Sequence, residues 1–300
     1  MTGRLGHRPL TPHLFAAPAL AVLVVFVGAP FALVVYLSFT HFTAFSDSPT
    51  WVGLANYREA LDSDRFWACM ANTAAYLLVT PVLAGLSLTA AMIVRTGLRG
   101  AGVLRVMLFL PVVTPAIVGA LAWQLLLKDH GLLNSLLEML GISPVPWLSR
   151  RPWTLISPML VTLWKGFGFY MMIFLAGLIA VPRELEEAAA IDGGGRWTVF
   201  RHVVLPAIWP VVVLVSVVSS ISALKVFDEI FVTVKGVPIE HQTIVPLVFN
   251  TAFEARGGDH GLASAIGILL FLVILAFSLV NMRLVQRRTR RASGAGGGGT

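Results

Sequence analysis

The chain has 300 residues, of which 57% are hydrophobic and only 12% charged, and its mean hydropathy is +0.82. Soluble domains carry about 25% charged residues, so this composition excludes a soluble globular chain, and the same apolar content excludes a disordered one. Cys69 is the only cysteine, which excludes an intrachain disulfide scaffold. The net charge is +7, and in a membrane protein such a charge is a guide to topology rather than to nucleic-acid binding.

Six apolar segments are each long enough to cross a bilayer, which takes about 20 residues in a helix. The first follows Arg4 and Arg8, but it is too long for the apolar region of a signal peptide, so we expect it to be retained. Prolines within the segments are compatible with membrane helices, where neighbouring helices satisfy the freed carbonyls. The sequence predicts an all-α integral membrane protein with six transmembrane helices, over residues 14–39, 71–94, 106–127, 153–180, 204–224 and 262–282.

Basic residues are distributed unequally between the two sides of the membrane. Six spans place both termini on one side, where the connecting segments hold 13 basic and 4 acidic residues, against 8 and 11 on the other side. The excess of basic residues predicts that both termini are cytoplasmic. The Gly-rich end from Ala292 is expected to be disordered. The predicted organisation is a cytoplasmic N-terminal segment (1–13), a six-span domain (14–284) with a cytoplasmic loop (181–206), and a basic, then Gly-rich tail (285–300).

The chain lacks the motifs of the common catalytic and nucleotide sites. It has no G-x-x-x-x-G-K-[ST], no H-E-x-x-H and no C-x-x-C, so we expect no catalytic residue, no metal and no cofactor bound by this chain. Ion-coupled carriers usually keep several ionisable residues inside their spans, whereas only Lys165 is clearly within one here. These features favour a transport pathway that is powered by another chain.

The loop between the fourth and fifth segments predicts two short helices joined by a glycine corner. Pro182 suits the first turn of a helix, and Gly193 can adopt the positive φ that ends one. Arg183 precedes Glu187 by four residues, which allows an ion pair on one face. Three glutamates stabilise the N-terminal half of this helix through its dipole, namely Glu184, Glu186 and Glu187. A second amphipathic segment, from Trp197 to His202, precedes Leu205 and Pro206, which are expected to begin the fifth span.

The spacing of this loop resembles the EAA motif of binding-protein-dependent ABC importer permeases. That motif reads E-A-A, three residues, G, nine residues, then I-x-L-P. The corresponding residues are Glu187, Ala188, Ala189, Gly193, Val203, Leu205 and Pro206, with Val203 in place of Ile as the only departure. Without the resemblance, a solvated connector is the simpler interpretation, because acidic helical loops are common.

Further segments resemble carbohydrate-uptake permeases similar to those for maltose and glycerol phosphate. A departure lies at 234–238, where related permeases often carry T-G-G-G-P and this chain has V-K-G-V-P. The similar segments are Val52 to Tyr57, Phe66-Trp67, Asn72-Thr73, Trp164 to Phe169, Leu175 to Leu178 and Ala263 to Ala265.

The resemblance implies the type I ABC importer permease fold in a prokaryotic cytoplasmic membrane. It implies that the EAA-like segment, with Ala188 and Ala189, belongs to an ATPase-coupling loop. In this loop Glu187 would contact a separate ATPase, Gly193 would make the corner, and Leu205-Pro206 would re-enter the membrane. The implied partners are a second permease subunit, an ATP-binding subunit dimer that holds ATP and Mg, and an extracytoplasmic substrate-binding protein. Apart from these partners we expect contact with membrane lipid and none with nucleic acid.

Several polar and aromatic residues are candidates for the translocation pathway. Lys165 is a candidate donor to solute hydroxyls, although a structural lysine bonded to carbonyls is an equal alternative. Ser216, Ser219 and Ser220 share one face of the fifth span and could line the pathway or allow close helix packing. Tyr170 and Phe227 could stack on sugar rings or simply pack.

The sequence therefore predicts half of an ATP-driven pathway for a sugar or oligosaccharide. Two alternatives remain open at this stage: a permease for another polar solute such as a phosphorylated polyol, and a stand-alone ion-coupled carrier. A membrane enzyme is the weakest alternative, because no catalytic constellation is visible.

Overall fold

The computed structural model describes residues 11–97, 100–255 and 257–295. Within this part of the chain the β structure is a short antiparallel ladder of β1 (Thr40–His41) with β2 (Thr50–Trp51) and one isolated bridge between Thr43 and Asp259. Helical turns of other types lie at Val24–Gly28, Phe200–Val204 and Asn250–Glu254 (π) and at Ile239–His241 (3-10). The helices are α1 (Thr11–Leu23), α2 (Ala29–Ser38), α3 (Ala55–Asp62), α4 (Asp64–Tyr76), α5 (Val79–Arg95), α6 (Ala101–Val113), α7 (Ala116–Leu126), α8 (Leu132–Met139), α9 (Trp153–Ile179), α10 (Arg183–Ile191), α11 (Arg196–Val199), α12 (Leu205–Ala207), α13 (Trp209–Leu224), α14 (Asp228–Thr233), α15 (Ile244–Phe249) and α16 (His260–Ala295).

The predicted all-α membrane architecture is confirmed. In the described residues, four helical stretches are long and apolar enough to cross a membrane: Phe15–Ser38, Asp64–Arg95, Trp153–Ile179 and His260–Asn281. Two further stretches qualify only as bent pairs of helices, α6 with α7 and the Arg196–Ala207 helix with α13. The count is six if each bent pair forms one span, in agreement with the six segments of the sequence.

The third span is not the continuous helix that the sequence predicts. α6 and α7 meet at 99°, and the break lies at Thr114, which has extended φ and ψ of −73° and 129°. The ring of Pro115 disfavours a helical conformation in the residue before it, and this explains the break. The apolar pattern cannot show such a bend, because both halves are equally hydrophobic.

The fifth span also differs from the prediction. Leu205 and Pro206 do not begin a new helix but continue one that starts at Arg196, and the bend of 70° comes at Ile208. Pro210 accounts for this position, since it has no N–H for the Pro206 carbonyl and its ring clashes with a straight helix. The helix therefore turns two residues after the predicted point of re-entry.

Two helix ends extend past their predicted limits. The second span begins at Asp64 rather than at residue 71, and α16 continues through the basic residues to Ala295. Residues 292–295 are therefore helical where we expected disorder. The remainder of the Gly-rich end (296–300) and the N-terminal residues 1–10 lie outside the described residues.

One compact unit comprises the chain up to Ser63 together with Val248–Leu270. The Asn56 side chain holds the end of α2 here, because its amide donates to the carbonyls of Ser38 and Thr40 at 3.0 and 2.8 Å. The Tyr57 hydroxyl lies 2.7 Å from that of Ser38. These bonds give the Val52-to-Tyr57 segment a structural role, since carbonyls at a helix end lack partners of their own.

The second unit comprises Asp64–Leu247 and Phe271–Thr300, and its core joins α5, α9 and α13. A Cβ on Gly168 would overlap the Leu108 carbonyl oxygen, so α6 crosses α9 in backbone contact. A Cβ on Gly177 would lie 2.7 Å from the Val211 side chain of α13. Gly168 and Gly177 are thus packing residues, as is common where membrane helices cross closely.

Residues 234–238, which differ from the T-G-G-G-P of related permeases, precede a turn that hydrogen bonds hold against α4. Asn72 donates to the carbonyls of Glu240 and Gln242 at 2.9 and 2.8 Å, and the Thr73 hydroxyl accepts the Ile244 N–H at 2.9 Å. The buried Cys69 thiol lies 3.2 Å from the Ile239 carbonyl. Three side chains of α4 therefore satisfy backbone groups that would otherwise be buried without partners.

Candidate functional site

The predicted helix–corner–helix loop is present. α10 begins after Pro182, whose extended conformation suits a residue that flanks a helix, and ends at the Gly193 corner, where φ is +86°. The Gly193 N–H donates to the Ala190 carbonyl at 3.1 Å and the Gly194 N–H to the Ala189 carbonyl at 2.9 Å. This pair of bonds is a Schellman motif, which uses a left-handed residue to satisfy the last carbonyls of a helix.

An ion pair ties this loop to the end of the second span. Nη2 of Arg95, the last residue of α5, lies 2.6 Å from Oε1 of Glu186 and also donates to the Val181 carbonyl at 3.3 Å. The two side chains are only 17% and 29% exposed. The predicted Arg183–Glu187 pair is not formed, although the structure describes both residues; Glu186 pairs instead with a residue of another helix. Sequence spacing within one helix could not reveal this partner.

The outer face of the loop presents apolar side chains to solvent. Ile191 is 86% exposed and Trp197 68%, and Leu185 is also exposed. Glu187 is exposed on the same loop and lines a cavity of about 630 Å³ with Arg183 and Arg196. Large apolar side chains beside charged residues in a polar loop are typical of a surface that another protein covers.

The remaining residues of the EAA-like motif serve the geometry of the loop. The Ala188 carbonyl accepts the Asp192 N–H at 3.0 Å, which closes the last turn of α10. The Leu205 N–H reaches the Phe200 carbonyl across the π turn that precedes the Pro206 position. The sequence predicts a break at Leu205-Pro206. The structure instead has a π turn just before these two residues and a bend two residues after them.

A second site is a cavity of about 570 Å³ inside the helical bundle. Four of the six residues predicted for the pathway line it: Lys165, Tyr170, Ser219 and Phe227. The rings of Phe169 and Tyr170 meet edge to face at 5.2 Å, and those of Phe227 and Phe231 stack at 4.9 Å. Aromatic faces beside a lysine and hydroxyl groups are the combination that binds hydroxylated rings well.

Ser216 and Ser220 do not line this cavity. The Ser216 hydroxyl donates to the Val212 carbonyl at 2.8 Å within α13, and Ser220 is buried. The face of α13 that lines the cavity carries Val218, Ser219 and Ser222. Of the three predicted serines only Ser219 therefore lines this cavity, and a role in transport remains a prediction for all three.

The cavity also contains charged residues that were not predicted for the pathway. Lys225, Asp228 and Glu229 line it beside Lys165, so its formal charges balance. Tyr76 lies at its edge, with its hydroxyl 2.8 Å from that of Thr162. The sequence signal for this cluster is the K-x-x-D-E spacing around Phe227, but the apolar segments predict that these residues lie outside the membrane.

Comparison with known proteins places both sites in one family. Residues 82–291 match the family described as binding-protein-dependent transport system inner membrane component. The chain belongs to this family. The matched range contains the loop of residues 181–206 and most of the cavity lining. The predicted resemblance to ABC importer permeases of the carbohydrate-uptake type is thereby confirmed, and this transport-system component is a multi-pass membrane permease.

Relatives match this inner membrane component over nearly their full lengths. The trehalose/maltose transport system permease protein MalF of Thermococcus litoralis is 33% identical over 291 residues, covering 96% of this chain and 98% of that protein. The diacetylchitobiose uptake system permease protein NgcF of Streptomyces coelicolor is 32% identical, covering 93% and 83%.

A solved structure supports the same fold. A chain of a bacterial ABC transporter involved in the import of the acidic polysaccharide alginate superposes with a TM-score of 0.80. The identity is 20%, and the match covers 92% of this chain and 95% of that one. The bends in the third and fifth spans therefore lie within an architecture that a known importer shares.

Proposed function

We propose that this permease subunit forms half of the pathway by which an ATP-driven importer carries a sugar or oligosaccharide into a prokaryotic cell. Both termini are on the cytoplasmic side of the cytoplasmic membrane. The named relatives support this assignment, because their names give trehalose, maltose and diacetylchitobiose as solutes and they match over most of their lengths. The balanced charge and aromatic rings of the cavity fit a neutral hydroxylated solute.

The observation that carries the proposal is the anchored loop with an exposed apolar face. Leu185, Ile191 and Trp197 face outward, while Arg95 holds the loop from within. A separate ATPase dimer, which binds ATP with Mg, contacts this face in our proposal. Its closure moves the loop, and the ion pair passes that motion to α5. The ATPase can shift the balance between two conformations of the permease only by contacting them differently. The exposed face of the loop supplies that contact.

Two further partners complete the importer. A second permease subunit supplies the other half of the pathway, and an extracytoplasmic substrate-binding protein delivers the solute. Support comes from a solved alginate ABC transporter in complex with its alginate-bound periplasmic protein, whose chain superposes on this one with a TM-score of 0.77 at 21% identity.

A second candidate solute is a phosphorylated polyol, which Lys165 and Lys225 in the cavity would favour. The carboxylates of Asp228 and Glu229 offset those charges, so a dianionic phosphate gains little there and a neutral sugar is preferred. The four ionisable residues around the cavity would also suit a stand-alone ion-coupled carrier, but the family match and the transport-system relatives favour the importer.

The test is a Glu187→Lys variant of the complete importer, assayed by ATP-dependent uptake of radiolabelled maltose, trehalose and chitobiose. We expect uptake to fall at least about tenfold, because reversal of an exposed interface charge places like charges together and loses more than about 1.4 kcal/mol. Glu184→Lys is the matched control, since Glu184 is an exposed glutamate in the first turn of the same helix. Equal uptake in the two variants would count against contact through Glu187.

A further inference from the structure

A short amphipathic helix lies between the third and fourth spans and belongs to neither. α8 covers Leu132–Met139, and its residues divide into three faces. Asn134 points inward and is buried, Ser135 and Glu138 occupy a polar exposed face, and the third face is apolar. A helix with one face toward protein, one polar face and one apolar face suits a position where protein, water and an apolar phase meet.

A polar network fixes the rotation of α8. The Asn134 amide donates to the carbonyls of Asp129 and Val145 at 3.0 and 3.1 Å. Its oxygen accepts the Val145 N–H at 3.0 Å and the Trp147 ring N–H at 2.9 Å. A buried, fully bonded amide of this kind is costly to disrupt. The direction in which α8 presents its apolar face is therefore set by the loop itself.

The apolar face is exposed along its whole length. Leu132, Leu136 and Met139 follow the spacing i, i+4, i+7 of one helical stripe, and Leu140 continues it at the C-terminal end. Met139 is 82% exposed and Leu140 75%. Four large apolar side chains on one side of an eight-residue helix form a patch that water does not solvate well.

The position of α8 in the chain places this patch at a membrane surface. Only residues 127–131 separate it from α7, which itself exposes Leu121 and Leu125. On its other side, Trp153 begins α9 and its ring contacts that of Trp147 at 4.7 Å. Tryptophans of this kind are enriched at the level of lipid headgroups. Because the α9 span alone separates α8 from α10, α8 lies on the membrane face opposite the coupling loop.

We propose that α8 is an interfacial helix that buries its Leu132–Leu136–Met139–Leu140 stripe in the lipid leaflet opposite the coupling loop. The occupant is lipid rather than protein, since α7, the membrane helix that precedes α8 in the chain, also exposes large apolar side chains. The segment between the two spans carries Lys128, Arg150 and Arg151 against Asp129 and Glu138, so its basic excess is a single charge. Insertion therefore depends on apolar burial and is insensitive to salt. That this leaflet is the outer one rests on the proposed function; the insertion itself does not.

The test uses nitroxide labels at engineered cysteines in the full-length chain, within the assembled importer, in nanodiscs of phosphatidylethanolamine and phosphatidylglycerol. Met139→Cys and Leu136→Cys report on the stripe, and Ser135→Cys reports on the polar face. The wild-type chain is the labelling blank, because its Cys69 is buried. Labels on the stripe are expected to lie about 5–10 Å below the headgroup boundary, with higher accessibility to oxygen than to a water-soluble nickel complex. The Ser135 label is expected to show the reverse, at both low and high salt.

Two results would overturn the proposal. Stripe labels that the nickel complex reaches as readily as it reaches Ser135 would place α8 in water. Stripe labels that neither oxygen nor nickel reaches would show that a protein covers it. A membrane-impermeant thiol reagent applied to intact cells identifies the side separately. Failure to label Ser135→Cys from outside would contradict the topology in the proposed function and leave the lipid insertion standing.

Discussion

At the scale of single residues, the central feature is the contact of Arg95 with the coupling loop. Its guanidinium joins the end of α5 to Glu186 and to the Val181 carbonyl at the start of the loop. The pair is mostly shielded from solvent, so screening weakens it less than an exposed ion pair. In our proposal this contact, rather than any pairing within α10, passes movement of the loop to the bundle.

We therefore expect Arg95→Glu to lower ATP-dependent uptake about five- to tenfold, because like charges then meet in a half-buried site. ATP hydrolysis by the importer should fall less, which appears as more ATP consumed per solute molecule. The double variant Arg95→Glu with Glu186→Arg restores opposite charges and should recover most of the uptake. If the double variant transports as poorly as the single one, the ion pair is not the connection.

Lys165 provides a second test at this scale. In Lys165→Met the length of the side chain is kept but its charged donor is lost, and a hydrogen bond from a charged group contributes about 1.5–3 kcal/mol. We expect the solute concentration for half-maximal uptake to rise about tenfold or more. Lys128→Met is the control, since Lys128 lies outside the cavity. Unchanged concentration dependence in Lys165→Met would assign this lysine a structural role.

At the scale of elements, the coupling loop shows what local sequence can predict. Both short helices and the glycine corner follow from Pro182, the glutamates and Gly193, all of which act within one or two turns. The bends at Thr114 and Ile208 were missed for a different reason. Proline is compatible with a straight or a bent membrane helix, and tertiary packing selects between them.

The glycine corner yields a prediction for this scale. Gly193 has φ of +86°, so Gly193→Ala forces a side chain into the left-handed region at a cost of about 1–2 kcal/mol. We expect α10 to lose its Schellman motif and uptake to fall several-fold while the amount of protein in the membrane is unchanged. Gly195→Ala is the matched substitution, because Gly195 has φ of −66° and open space at its Cβ position. Comparable uptake in the two variants would contradict a requirement for the corner.

At the scale of the whole molecule, composition alone predicts the membrane class. The apolar segments predict the majority of the span ends to within a few residues. The solute cavity was only partly predictable. Lys165, Tyr170, Ser219 and Phe227 follow from chemistry and helical spacing. Lys225, Asp228 and Glu229 are close to one another in sequence but join Lys165 only through the folding of α14 against the bundle. Likewise, the partner of Glu186 lies far away in sequence and close in space.

The central claim is that energy reaches this bundle from a separate ATPase through the anchored loop. The most direct measurement is solute accumulation in proteoliposomes that contain the full importer, compared with proteoliposomes from which only the ATPase subunit is omitted. Our account predicts ATP-dependent accumulation in the first and none in the second, with or without an imposed ion gradient. Accumulation in the absence of the ATPase, driven by an ion gradient, would contradict it.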